Sequence, residues 1–127
     1  MAHTIIYNPE THIIETKVQG NVTLSEMKEI FTEAVRIAIE KDTFLFLSDF
    51  QEATINLSVM EIYALPKILS NIAAPMGVSA SRFRRAIVFS QQNFSDSRFA
   101  ENVTANQGQN AKFFQDVDEA KRWLSEK

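Results

Sequence analysis

The sequence predicts a single α/β domain over residues 1–127, a mixed sheet with an N-terminal antiparallel hairpin, parallel strands joined by βαβ crossovers, and about four helices. Three observations predict it. Phe44–Leu47 is a short unbroken apolar run rich in aromatics, the pattern of a strand buried on both faces and therefore central. From Leu24 to Ala38, apolar residues recur at three- and four-residue intervals, as on a helix lying against a sheet. Beyond the first two strands, helix-period and strand-period segments alternate, which requires right-handed crossovers and a mostly parallel sheet with an antiparallel edge.

Taken in order, His3–Tyr7 and His12–Val18 flank the turn-forming Asn8-Pro9-Glu10-Thr11 and read as a β-hairpin. Facing pairs are expected at Tyr7 and His12, Ile5 and Ile14, and His3 and Thr16, with Glu15 and Lys17 on the wetter face. Gly20-Asn21-Val22 closes the hairpin, and Thr23-Leu24-Ser25-Glu26 is a capping box opening a helix to about Glu40. The central strand is expected to end at Asp49. A polar loop then leads to Ser58, which forms a second capping box with Glu61.

The run after Ser58 keeps helical spacing, but Pro66 has no amide donor and its ring crowds the preceding turn. It either kinks one helix or begins the second of two, with Gly77 as a left-handed cap beyond. Residues 78–83 carry no pattern. Arg84–Phe89, RRAIVF, is the next buried strand. A helix is expected over Asp96–Gln107, capped by Ser95 or Asp96, with Phe99 and Val103 inward and Gly108 as its stop. Lys112–Phe114 forms the last strand. Asp116-Val117-Asp118-Glu119 caps a closing helix whose Val117, Ala120, Trp123 and Leu124 face the core.

Composition narrows the function. Ten phenylalanines supply a large core without staples, and with no cysteine there are no disulfides, thiolate metal sites or thiol nucleophiles. A formal charge of −3, with basic residues scattered apart from Arg82, Arg84 and Arg85, argues against nucleic acid. No apolar run approaches the roughly 18 residues of a membrane span, and no secretory leader is visible, so a soluble cytoplasmic protein without an integral membrane segment is expected. The three glycines fall at element boundaries, leaving none for a phosphate-cradling loop. Both histidines lie in the hairpin, separated along its ladder, which argues against a metal pair and against a Ser-His-Asp triad at the strand ends. Asp49 and Asp96 fall at the ends of neighbouring strands, where strand-end solvation and helix capping account for them better than acid–base pairing. No catalytic residue, metal or cofactor is assigned.

What remains is the polar stretch after the central strand. A buried strand leading to a helix N-terminus is where open α/β folds place their sites. Asp49, Gln51, Thr54 and Asn56 are the candidate partner-binding residues and Ser58 the candidate phosphoacceptor. A phosphoryl group there would bring about −1.5 to −2 charges to a helix end that tolerates anions. The structural role of Ser58, an N-cap contributing about 0.5–2 kcal/mol, accounts for the same serine.

The hairpin ending in Gly20-Asn21-Val22-Thr23, the Asp49-Phe50 pair, the RRAIVF strand and the ending FFQDVDEAKRWL together resemble the SpoIIAA-like branch of the STAS superfamily, the anti-sigma-factor antagonists, a fold also similar to that of CRAL-TRIO lipid-binding domains. The resemblance implies a non-enzymatic regulatory module in which a partner kinase phosphorylates a serine at the start of the helix after the central strand, switching the binding of a partner such as an anti-sigma factor. Laid on this chain, the family's Asp-Ser-Ser-Gly motif puts its first serine at Ser58 and has Leu57, Val59 and Met60 at the other three positions. The alternative is a carrier or sensor for a lipid or other small apolar ligand, held by Ile62, Leu65, Ile68 and Leu69 of the proline-containing helix. Homodimerisation through the hairpin edge or that helix is open to either reading.

Overall fold

The computed structural model describes residues 2–90 and 108–126. Strands β1 (Ala2–Asn8) and β2 (Ile13–Val22) precede α1 (Leu24–Lys41), β3 (Leu45–Ile55), α2 (Val59–Ala73), β4 (Arg84–Val88), β5 (Asn110–Phe114) and α3 (Val117–Ser125). The strands form one five-stranded sheet in chain order, β1-β2-β3-β4-β5, with β3 at its centre. Among these described strands only the β1–β2 pair is antiparallel. The mixed α/β sheet is as expected, and three helices lie among the described residues. The helix expected over Asp96–Gln107, with its caps and the Asp96 considered beside Asp49, lies outside them.

Helices α1 and α2 cover one face, where Ile14, Phe46 and Phe83 pack against Val35, Ala38, Leu69 and Ala73. The same face continues under the first turns of α1 with Val18, Val22, Phe50 and Ala53 against Met27 and Ile30. Helix α3 covers part of the other face, closing Ile13, Leu47, Ala86 and Val88 beneath Ala120 and Leu124. It starts as expected, with the Asp116 side chain accepting the Asp118 N–H at 2.8 Å. Arg84 fastens its far end, lying 4.0 Å from the Trp123 ring centre and donating from Nη2 to the Trp123 carbonyl at 2.6 Å.

Two expectations are corrected. The hairpin pairs Tyr7 with Ile14, Ile5 with Thr16 and His3 with Val18, two residues away from the expected register. Asn8 belongs to β1 and pairs with Ile13, so the turn is Pro9–His12, closed by the His12 N–H on the Asn8 carbonyl at 2.8 Å with His12 at φ 61°. A two-residue shift preserves every side chain's face, which is why Ile5 and Tyr7 still reach the core.

The second correction concerns β3, which begins after Phe44 and does not end at Asp49. It continues to Ile55, pairing with β2 as far as Val22. Between Lys17 and Gln19 of β2 the register moves from Lys17 opposite Asp49 to Gln19 opposite Glu52, so two residues of β3 oppose Val18. This bulge lets Phe50 and Ala53, three apart, both face α1. The Asp49 carboxylate stabilises it by accepting the Gln51 N–H at 2.9 Å.

Pro66 lies inside α2 without dividing it, and a 3-10 turn, Ala74–Met76, leads to Gly77 at φ 87°. In the stretch without a sequence pattern, a second 3-10 turn at Ala80–Arg82 delivers Phe83 to the core. That ring is 1% exposed and meets Phe46 edge-on at 4.9 Å.

Phe83→Ala is expected to cost about 3–5 kcal/mol, read from the shift in urea unfolding midpoint at constant m-value. On the sheet surface beyond α3, Gln19 Nε2 donates to Glu52 at 2.8 Å and Lys17 Nζ lies 3.3 Å from the same carboxylate. Together they hold the Glu52 carboxyl below its ordinary 4.5. The stability they contribute is complete above 4.5 and lost as pH falls through the lowered value, so Glu52→Gln is expected to flatten that acid limb in unfolding measured against pH, and less so in high salt.

Candidate functional site

Ser58 is exposed and begins α2 in extended conformation, φ −73° and ψ 165°. Its Oγ accepts the Glu61 N–H at 3.1 Å, and its own N–H donates to Glu61 Oε1 at 2.8 Å. The capping box is therefore reciprocal, satisfying two amide donors that the first helical turn leaves without partners. Asn56 is tied back by its N–H on the Val22 carbonyl at 2.9 Å, so only Leu57 separates the end of the β2–β3 ladder from the cap.

Extension of β3 divides the residues singled out in the sequence. Asp49 is half-buried and engaged at the bulge, while Gln51 Nε2 donates to the Gln115 carbonyl at 3.3 Å, just ahead of α3. Thr54 and Asn56 are exposed at the other end, beside Ser58. At the usual rise of a strand, Asp49 and Ile55 are roughly 20 Å apart. Thr54, Asn56 and Ser58 follow one another toward the start of α2, with Thr54 on the face of the sheet away from α1, since its neighbours Ala53 and Ile55 pack beneath that helix; Gln51 stands with α3.

Three neighbours of Ser58 were not singled out from the sequence. Val59, Met60 and Tyr63 are 61%, 79% and 50% exposed on the first turns of α2. At spacings of three and four residues they share one side of the helix. No pattern in the sequence marks them, since their exposure follows from the packing of α2, which buries Pro66, Leu69 and Ala73, from its midpoint onward.

A second cluster is built around the buried Gln109 and the half-buried Arg85. Neighbouring residues of β4 face opposite sides of the sheet, so Arg84 goes to α3 and Arg85 to the layer beneath α1 and α2. Arg85 Nη2 donates to Gln109 Oε1 at 3.0 Å, and its buried Nε has no protein partner. Gln109 Nε2 donates in turn to the Pro66 carbonyl at 2.6 Å and to Ser70 Oγ at 3.1 Å. Burial lowers the Arg85 pKa to about 10. An unfolded arginine keeps its proton to higher pH, so burying this cation costs stability at every pH below about 10, and the cost is relieved only above it.

Arg85 lines a narrow cavity of about 40 Å³ together with Thr16, Ser48 and apolar residues that include Phe31, Phe50 and Leu69. Of the four apolar residues named from the sequence, Leu69 alone is part of that lining; Leu65 packs by Val18 and Val22, and Ile62 and Ile68 are half-buried elsewhere on α2. The histidines are apart, as expected from the ladder: His3 Nε2 lies 3.3 Å from Glu33 Oε2, and His12 Nδ1 lies 2.8 Å from the Tyr7 hydroxyl. Among the described residues no cluster of three metal-ligating side chains occurs, and no helix is long and apolar enough to cross a membrane.

No curated protein matches the sequence. Among solved structures, the chain is similar to an uncharacterised protein with a SpoIIAA-like fold from Shewanella loihica PV-4. The two are 21% identical with a TM-score of 0.59, over 97% of this chain and 92% of the other. That likeness is one of fold. The SpoIIAA-like family model matches residues 13–125, from the first residue of β2 to the last of α3, and on that span the chain belongs to the SpoIIAA-like family.

Proposed function

We propose that the protein is a non-enzymatic regulatory module that binds a protein partner through the N-terminal end of α2, with Ser58 as its switch. The observation that carries this reading is the exposed apolar group of Val59, Met60 and Tyr63 beside an exposed serine at a helix cap. Apolar side chains clustered at one point of a surface are a common mark of a protein contact, and methionine adapts readily to a partner's shape. Membership of the SpoIIAA-like family supports a STAS-type domain. An anti-sigma factor or a kinase is the partner class this reading favours.

The chemistry of the switch follows from the capping box. A phosphoryl group on Ser58 Oγ gains from the helix N-terminus but stands beside the Glu61 carboxylate that receives the Ser58 N–H. Like charges at that distance repel, so the modification displaces Glu61 and places a dianion at the margin of the apolar group. The exposed surface changes in charge and in shape together.

Ser58→Ala is expected to cost about 0.5–2 kcal/mol in urea unfolding, through the cap alone. In quantitative pull-downs of cellular partners, Ser58→Ala and Ser58→Glu are expected to capture different sets, and Met60→Asp to lose the partner retained by wild type while remaining folded by circular dichroism. Identical profiles for the two Ser58 variants would remove the switch, and an unchanged profile for Met60→Asp would remove the surface.

A further inference from the structure

Arg85 is a half-buried cation whose Nε is closed off from solvent. Among the described residues no carboxylate contacts it; Gln109 takes one of its donors and the buried Nε is unpaired. A guanidinium in apolar surroundings is completed by a planar anion that accepts two parallel hydrogen bonds. The space it lines carries two hydroxyl-bearing residues, Thr16 and Ser48, and otherwise apolar walls from α1, α2 and the sheet.

We propose that this cavity binds a small aliphatic carboxylate, with the headgroup on Arg85 and the chain along the apolar wall between α1 and α2. The site is separate from the surface at Ser58 and stands or falls independently of it. One guanidinium neutralises one carboxylate, whereas a dianionic phosphoryl group would bring a second charge into an apolar layer without a matching cation. The cavity of about 40 Å³ accommodates the headgroup and little of a chain, so binding requires a wall to move. The wall that moves is α2. It buries Pro66, Leu69 and Ala73, against five buried residues in α1, and is tied from β5's side by the two hydrogen bonds of Gln109. Gln109 therefore links headgroup to helix, since the same amide meets Arg85 on its oxygen and α2 on its nitrogen.

The test uses the full chain with octanoate, 1-octanol and inorganic phosphate as probes, read by calorimetry and by the arginine Nε–H signals in ¹H–¹⁵N spectra. Octanoate is expected to bind at least tenfold more tightly than octanol and to shift the Arg85 Nε–H signal. Arg85→Met is expected to weaken octanoate at least tenfold while leaving octanol unchanged, and Arg85→Lys to fall between. Equal affinity for octanoate and octanol, an unmoved Nε–H signal, or no binding of either would overturn the proposal. A phosphate response at Arg85 as strong as that of octanoate would overturn the carboxylate assignment. Should Arg85→Met fail to fold, the wild-type Nε–H response and the octanoate-to-octanol ratio decide the matter without it.

Discussion

The constraint on which the rest of the structure depends is that β3 must serve two faces of the sheet at once and cannot do so with a regular strand. Up to Asp49 it alternates strictly, Phe46 toward α1 and α2 and Leu47 toward α3. Beyond that point the α3 side is open to solvent while the α1 side still has Met27 and Ile30 to cover. The extra residue opposite Val18 resolves this by re-aiming the strand so that Phe50 and Ala53 both lie beneath α1. Without it, the strand's last apolar positions would point to water, and the end of β3 would not arrive at the Ser58 cap in its present orientation.

The same bulge explains what the sequence showed and what it concealed. The central strand, the capping box at Ser58, the apolar stripe of α1 and the closing helix are local patterns, and each is present where its residues indicated, save that the strand begins at Leu45 and that at Thr23 only half the expected box forms, the Thr23 hydroxyl accepting the Glu26 N–H. The length of β3 was hidden because Phe50, Ala53 and Ile55 break the two-residue period, and the polar Asp49, Gln51 and Glu52 between them look like a loop. The hairpin register was missed by two because Asn8 reads as a turn former, whereas it belongs to the strand and bonds both the Glu10 N–H and the Glu15 carboxylate. Phe83 escaped notice because it follows a 3-10 turn, which has no hydrophobic period to betray it.

The candidate site was legible in position but not in extent. Ser58 could be placed by its capping box alone, while the exposure of Val59, Met60 and Tyr63 depends on α2 burying residues only from Pro66 onward. The two arginines of RRAIVF show a complementary limit. Alternation assigns them to opposite faces, yet it cannot say that one finds a tryptophan ring and a helix carbonyl while the other meets an amide from the approach to β5.

Because sheet order and chain order coincide, each strand joins a neighbour already made, and the ladder can be laid down in the direction of synthesis. Helix α2 is the exception: the amide that anchors the Pro66 carbonyl belongs to a residue 43 positions later. A nascent chain emerging from the ribosome would therefore carry α2 without this tether until Gln109 has cleared the exit tunnel, its Leu69 and Ala73 held during that interval by α1 and by the strands already made.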